Sequence, residues 1–221
     1  MISAVIPTLN AEGSLGACLD ALKDADELVV VDGGSSDYTI EVAERRGAKL
    51  LCAATGRGHQ LSAGAEAADG DWLLFVHADT MLEQGWRAEA ERHIAAAPEG
   101  AACFRFRLDS RAWQARLIER GVAARVRMLG LPYGDQGLLI SRRLYDEVGG
   151  YRPMPLFEDV DLVRRLGRKR IHGLDAGAVT SAERWLRDGW LRRSAGNVGL
   201  LGLYRLGMSP GRIARLYSPS P

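Results

Sequence analysis

The stretch Gly70-Asp71-Trp72-Leu73-Leu74-Phe75-Val76-His77-Ala78-Asp79-Thr80 decides how the rest of the chain is read. A turn at Gly70-Asp71 leads into five consecutive apolar residues, and the run stops at His77, Ala78 and Asp79. Such a run predicts a strand buried on both faces with polar chemistry at its C-terminal tip. In open α/β sheets that tip is where ligands sit. The competing reading is an ordinary strand-to-helix loop whose Asp79 caps the next helix.

Upstream, residues 2–6 form a short apolar strand stopped by Pro7, which cannot donate to a sheet ladder. Thr8, Leu9 and Asn10 make a polar loop, and Leu15, Cys18, Leu19 and Leu22 recur at helical spacing. Glu27 to Asp32 is a second strand, apolar until its final aspartate, followed by the loop Gly33-Gly34-Ser35-Ser36-Asp37. Tyr38 to Arg46 reads as a helix closed by Gly47. Lys49 to Ala53 is a third strand, and Gly56-Arg57-Gly58 opens a small-residue helix through Ala68. Strand–helix alternation with short loops predicts an α/β fold, a mostly parallel sheet with helices on both faces. Right-handed crossovers gather the strand C-termini on one edge. Thr8, Asp32, Arg57 and Asp79 are therefore expected on one rim.

Downstream, Glu83–Ala97 reads as a helix, and Ala102–Leu108 alternates as a strand with one wet face. Arg111 to Arg127 is a basic helix whose arginines at 111, 116, 120, 125 and 127 do not share one narrow face. Gly134-Asp135-Gln136 is a polar turn entering a strand, and Ser141–Val148 is helical with Gly149-Gly150 as its stop. Glu158, Asp159 and Asp161 open a helix running to about Arg168, where the macrodipole alone would favour acids. An Asp159 held in a cleft would instead suit general-base work. Ile171 to Thr180 is expected to be a last strand pair. An apolar, arginine-dotted helical tail follows, and a final short helix starts at Ser209-Pro210.

The 221 residues suffice for one sizeable core, and 47% hydrophobic with 26% charged content is that of a soluble globular protein. A net charge of +1 conceals an asymmetry. Residues 1–100 hold 7 Lys+Arg against 17 Asp+Glu, and the remainder hold 22 against 11. On charge alone, the second half could meet phosphate on a ligand, a membrane surface or a nucleic acid. Cys18, Cys52 and Cys103 are scattered and odd in number, which points to a reducing cytosol and to neither a metal cluster nor a disulfide framework. No leader peptide, spanning segment or internal repeat is expected.

Four motifs occur in order: Val5-Ile6-Pro7-Thr8-Leu9-Asn10, Val31-Asp32-Gly33-Gly34-Ser35-Ser36-Asp37, Gly70 through Asp79, and Phe157-Glu158-Asp159-Val160-Asp161-Leu162. Together they resemble the family 2 glycosyltransferases of the GT-A fold, inverting enzymes that use nucleotide-diphosphate sugars. The resemblance spans residue 2 to about 185. Gly134-Asp135-Gln136 and the tail Leu203–Pro210 are more narrowly similar to a small bacterial subgroup associated with arsenosugar biosynthesis. The implied plan is a catalytic domain over 1–183, with a nucleotide-sugar half (1–100) and an acceptor half (101–183), then a helical tail over 184–221.

The resemblance also implies roles. Pro7, Thr8, Asn10, Asp32, Gly34, Arg57 and His77 would contact the nucleotide. Asp79 matches the last acid of the family's Asp-any-Asp motif and would hold a divalent ion, Mg²⁺ or Mn²⁺, on the diphosphate. Asp159 would deprotonate the acceptor hydroxyl, with Glu158 beside it. The implied partners are a UDP- or GDP-sugar and a small-molecule or lipid-linked acceptor, with no nucleic acid. The implied location is cytoplasmic, with peripheral contact at the inner membrane face and a homodimer both left open. The tail, rich in Trp, Leu and Arg, suits a membrane interface or packing on the domain or a second subunit.

Three departures from the pattern matter. His77 replaces the first aspartate of the metal motif, as an imidazole ligand, a sign of weaker metal binding or an inert strand end. Ser62 stands where many relatives carry asparagine. Arg184-Trp185 matches the end of a motif of processive relatives, but Ser181 stands where that motif has glutamine, so no processive polymerase is expected. Two other readings compete: a non-catalytic nucleotide- or membrane-binding protein on the same fold, and a sugar nucleotidyltransferase. The latter needs a Gly-rich, Arg-containing loop where Pro7-Thr8-Leu9-Asn10 stands. A dinucleotide-binding dehydrogenase lacks its G-x-G-x-x-G.

Overall fold

The computed structural model describes residues 1–216. The five final residues of the expected 184–221 tail lie outside the described residues. The chain alternates from its start: β1 (Ile2–Thr8), α1 (Glu12–Ala21), β2 (Glu27–Asp32), α2 (Thr39–Glu44), β3 (Lys49–Cys52), α3 (Arg57–Ala67) and β4 (Trp72–Phe75). It continues with β5 (Thr80–Leu82), α4 (Trp86–Ala96), β6 (Ala101–Asp109), α5 (Trp113–Leu129), β7 (Leu138–Ser141), α6 (Arg142–Glu147), α7 (Glu158–Leu166) and β8 (Ile171–Ser181). Three helices close it: α8 (Glu183–Asp188), α9 (Trp190–Arg205) and α10 (Pro210–Leu216).

The strands form one sheet in the order β3-β2-β1-β4-β7-β6-β8-β5. β1 to β4 pair in parallel, β7 runs against both β4 and β6, β6 and β8 are parallel, and β5 runs against β8. Only β5 and β7 oppose the rest, so the sheet is mostly parallel, as expected. Its central strands alternate between two buried faces. Ile2, Ala4, Ile6, Trp72 and Leu74 pack with α1 and α4. Val5, Leu73 and Phe75 pack with α3, α6 and α7. This is why residues 72–76 read as an unbroken apolar run. Leu73 and Leu74 are fully buried, each worth about 1.5–3 kcal/mol over an exposed side chain. Gly64 allows α3 to lie this close to the sheet, since a Cβ there would collide with Val5 and Val31.

Two expectations are corrected. The helix placed at Glu83–Ala97 starts only at Trp86, because Glu83 N–H is held by the Gly177 carbonyl of β8 at 2.8 Å and Gly85 is left-handed at φ 88°. The strand pair expected over Ile171–Thr180 is one continuous strand of 11 residues. A register shift against β6 between Cys103 and Arg105 absorbs its irregularity. Gly177, which resembles a turn residue in sequence, instead admits the Glu83 carboxylate, which accepts from its N–H at 2.8 Å.

The tail folds back on the domain. Trp185 packs with Phe106, Leu108 and Ala115, and Tyr204 stacks on Phe157 at 4.8 Å between ring centroids. No described helix is long and apolar enough to cross a membrane.

Candidate active site

Parallel pairing sets Thr8 opposite Asp32 at the C-terminal edge of the sheet, and β4 delivers His77, Ala78 and Asp79 to that edge. The turn after β4 is pinned twice. Thr80 N–H donates to the His77 carbonyl at 3.0 Å, and Ser181 N–H donates to the Asp79 carbonyl at 3.4 Å. Asp79 thus faces a cleft of ≈ 160 Å³ shared with Arg57, His77, Asp135, Asp159 and Arg184. The tail adds a wall, through Trp185, Arg193, Asn197 and Leu200. A volume well below the ~300–1,000 Å³ that encloses a whole drug-sized ligand suits the reacting end of a ligand alone.

Pro7, Thr8, Asn10, Asp32 and Gly34 form a second cluster on the same edge, outside that cleft. Asp32 is buried and organises it. One carboxylate oxygen accepts from the Gly34 and Ser35 amides, both at 2.8 Å; the other accepts from Ser35 Oγ at 2.5 Å and Thr8 Oγ1 at 3.1 Å. Burial opposes the charge, but these hydrogen bonds, Ser35's foremost, outweigh it and hold the carboxyl below its ordinary value. Asn10 sits in the left-handed region at φ 50°. Its side-chain oxygen accepts from Ser36 N–H at 2.9 Å, and its own N–H donates to Ser35 Oγ at 2.8 Å. The two loops therefore form one rigid rim. Sequence reasoning missed Gln60, whose buried amide donates to the carbonyls of Thr8 and Val31 at 2.7 and 2.8 Å. Nothing in its helical neighbours signals that role.

The acidic cluster of α7 divides by direction. Asp161 faces away from the cleft, pairing with Arg165 at 2.8 Å and Arg152 at 3.5 Å. Glu158, 1% exposed, pairs with Arg57 Nε at 3.0 Å. Burial raises its carboxyl above the ordinary value, Arg57 works against that and Asp159 adds to it. Asp159 lines the cleft; Oδ2 accepts from Gly134 N–H and Oδ1 from Val160 N–H, both at 2.7 Å. Phe157 precedes them at φ 66°, a costly conformation for a bulky residue. The Tyr204 ring from the tail stacks against it.

His77 and Asp135 complete the cleft. Burial, reinforced by Arg57 and Arg184 against the pull of Asp79 and Asp159, lowers His77 to about 4. The imidazole is then neutral near pH 7. Gly134 leaves room for it, since a Cβ on Gly134 would collide with the His77 ring. Asp135, on the same 3₁₀ turn (Gly134–Gln136), is absent from the sequence-predicted site residues. Its Oδ1 is buried without a hydrogen-bond partner. Burial raises the carboxyl to about 6, with Asp159 and Asp79 adding to the effect and Arg125 opposing it. The sequence signal for it is the Gly134-Asp135-Gln136 motif, which by itself reads as a polar turn.

The donors fit a divalent ion that a bound diphosphate helps to hold. Asp79 is a hard oxygen donor in the cleft, and Asp135 has a free oxygen there. Among the described residues no three metal-ligating side chains cluster into a cage. Mg²⁺ and Mn²⁺ are commonly held this way, by one or two carboxylates plus substrate phosphates.

Comparison with known proteins agrees with this geometry. Residues 3–153 match the model of the family "Glycosyl transferase family 2". A "PGL/p-HBAD biosynthesis glycosyltransferase" of Mycobacterium bovis is 40% identical over 93 residues, covering 37% of this chain and 36% of that protein. An "uncharacterized glycosyltransferase" of Rickettsia felis is 34% identical over 92 residues, covering 41% and 32%. The chain thus spans about a third of the length of these curated relatives. Among solved structures, S. aureus TarS 1–349 in complex with UDP-GlcNAc superposes with a TM-score of 0.63 at 19% identity, over 81% of this chain and 58% of that one. Glucosyl-3-phosphoglycerate synthase from Mycobacterium tuberculosis, with Mn²⁺, UDP-glucose and phosphoglyceric acid, gives 0.56 at 24%, over 78% and 68%. The structural likenesses establish a GT-A-type fold, and the family match makes the identity plain: the chain belongs to glycosyl transferase family 2.

Proposed function

We propose that this protein is an inverting glycosyltransferase that moves a sugar from a UDP- or GDP-linked donor to an acceptor hydroxyl. One observation carries the reading: Asp79 at the tip of β4 and Asp159 at the start of α7 face the same small cleft. Residues 1–100 hold the donor, with Pro7, Thr8, Asn10, Asp32 and Gly34 forming the nucleoside rim and Arg57 and His77 reaching the diphosphate. Residues 101–183 shape the acceptor side, and the tail closes it. The acceptor is a small molecule or a lipid-linked one, and not a nucleic acid. The link to arsenosugar biosynthesis stays with the resemblance in Gly134-Asp135-Gln136 and the tail.

Asp159 takes the proton of the acceptor hydroxyl as that oxygen attacks the anomeric carbon. The bond from that carbon to the diphosphate oxygen breaks on the opposite face, which inverts the centre. The Gly134 and Val160 amides fix the carboxylate's direction, so little reorganisation is needed at attack. Glu158 holds Arg57 in place, and neutral His77 can donate a hydrogen bond without adding charge. A divalent ion on Asp79, with Asp135 in reach of the cleft, would supply positive charge against the departing diphosphate.

Screening nucleotide sugars by metal-dependent hydrolysis and transfer tests the reading. Release of UDP or GDP from one donor, with an inverted product on acceptor addition, is expected. Tight UDP binding with no turnover of any donor would instead support a non-catalytic nucleotide-binding role, the reading that His77 in place of an acid favours.

A further inference from the structure

Helix α5 leaves one face uncovered. Trp113, Leu117 and Met128 are 68%, 52% and 59% exposed. Their spacing of i, i+4 and i+15 puts them within about 60° of one another around a helix of 3.6 residues per turn. The opposite face carries Ala115, Ile118 and Val122, which pack with Phe106 and Leu108. The core contacts of this helix are already made, so the exposed row is surplus to folding. Single exposed apolar residues need no explanation, but an aligned row with a Trp does.

Beside it runs a second row. Arg116, Arg120 and Arg127, at i, i+4 and i+11, lie within about 40° on the adjoining strip. The five arginines at 111, 116, 120, 125 and 127 share no one narrow face, as expected, but these three share a strip. Arg111 precedes the helix, and Arg125 turns inward over the Tyr133 ring at 3.5 Å. The three form one wall of a groove of ≈ 610 Å³, with Arg105 and Arg107 from β6 and Arg168 opposite, over a floor that includes Phe104 and Phe106. Glu119 is the single acid in the lining; it takes Arg107 at 3.3 Å and Arg116 at 2.9 Å. Arg105 pairs outside the groove with Asp175 at 3.0 Å. A large positive excess remains, in a concave site whose low-dielectric walls focus its field.

We infer that this face docks on an anionic phospholipid surface. Lipid phosphates occupy the arginine groove while Trp113, Leu117 and Met128 enter the boundary between headgroups and acyl chains. An apolar row with Trp flanked by a basic row is the pattern of helices that lie in a membrane interface. A nucleic acid would use the arginines but has no use for the apolar row. A second copy across a two-fold axis would bring the same arginine row from both chains into one contact, where they repel. The groove and the catalytic cleft share no lining residue. Asp135 and Gln136 nevertheless belong to one turn, so docking would hold the cleft close to the bilayer. This inference stands apart from the proposed reaction.

Co-sedimentation of the full chain with phosphatidylcholine vesicles, with and without phosphatidylglycerol, tests it. Binding is expected only when phosphatidylglycerol is present, and it should weaken as salt rises. Arg120→Glu with Arg127→Glu, and separately Trp113→Ser with Leu117→Ser, should each lower partitioning about tenfold or more. Thermal unfolding should barely change, since all four residues are exposed. Leu191→Ser with Val198→Ser on α9 should leave binding intact. Equal binding to neutral vesicles, no binding, or loss only with the α9 variant would overturn the assignment. So would a dimer in solution that Trp113→Ser with Leu117→Ser abolishes, or duplex DNA binding without vesicle binding.

Discussion

The backbone N–H of Gly134 donates to Oδ2 of Asp159 at 2.7 Å. The proposed base is therefore oriented by a turn 25 residues upstream, and the same turn carries Asp135 and makes room for His77. Four predictions follow from this junction and its neighbours.

Asp159→Asn should keep one of the two backbone hydrogen bonds through its amide oxygen, giving up the other, and cannot accept a proton. Transfer should fall by roughly 10²–10⁴-fold, while calorimetry should show nucleotide binding unchanged. Full transfer activity in this variant would remove Asp159 from its role.

Gly134→Ala should push its new methyl group into the His77 ring and to 3.5 Å from Asp159 Oδ2. Turnover should drop by roughly tenfold to a hundredfold through misplacement of the base, with the nucleoside rim untouched. Gly121→Ala on α5, where a Cβ meets nothing within 4 Å, is the control. It should leave turnover alone and stabilise the fold by about 0.4–1 kcal/mol.

Asp135 carries a pH signature. Its folded value of about 6 lies above the ordinary 3.8, so between the two the folded state binds more protons than the unfolded one. Stability contributed at this site is intact below about pH 4 and is lost as pH rises through 6. Asp135→Asn should therefore stabilise the protein at pH 7.5 by about 1–3 kcal/mol. In urea titrations the difference from wild type should vanish near pH 3.5. A variant less stable at both pH values would show that the carboxylate is satisfied in the cleft.

Metal binding should require the nucleotide, because no cage of protein ligands exists among the described residues. Manganese resonance spectra should show weak binding alone and strong binding with UDP. Asp79→Asn should weaken the latter about 10–100-fold, the size of a lost or misplaced metal contact. His77→Asp sets a second acid beside Asp79 and should tighten it. Tight Mn²⁺ binding to the nucleotide-free protein would contradict this donor set.

Local pattern determined much of this protein. The mainly apolar runs at 2–6, 28–31 and 72–76 announced buried parallel strands because a strand covered on both faces carries few polar residues. Ser3, fully buried in β1, is accommodated because its hydroxyl donates to Glu27 at 2.5 Å. Their terminal Thr8, Asp32 and Asp79 marked the functional edge, because parallel strands joined by crossovers all end on one side. Contacts across the sheet decided the rest. Thr80–Leu82 becomes a strand only because β8 is there to pair with it. Asp32 and Asp159 look alike in sequence as acids beside loops, yet one is enclosed by Thr8, Gly34 and Ser35 while the other faces the cleft. Asp135 is a turn residue until folding buries its carboxylate beside Asp79 and Asp159. Periodicity reports which side of an element meets apolar neighbours; desolvation and the company of other charges arise only when distant segments close around the same point.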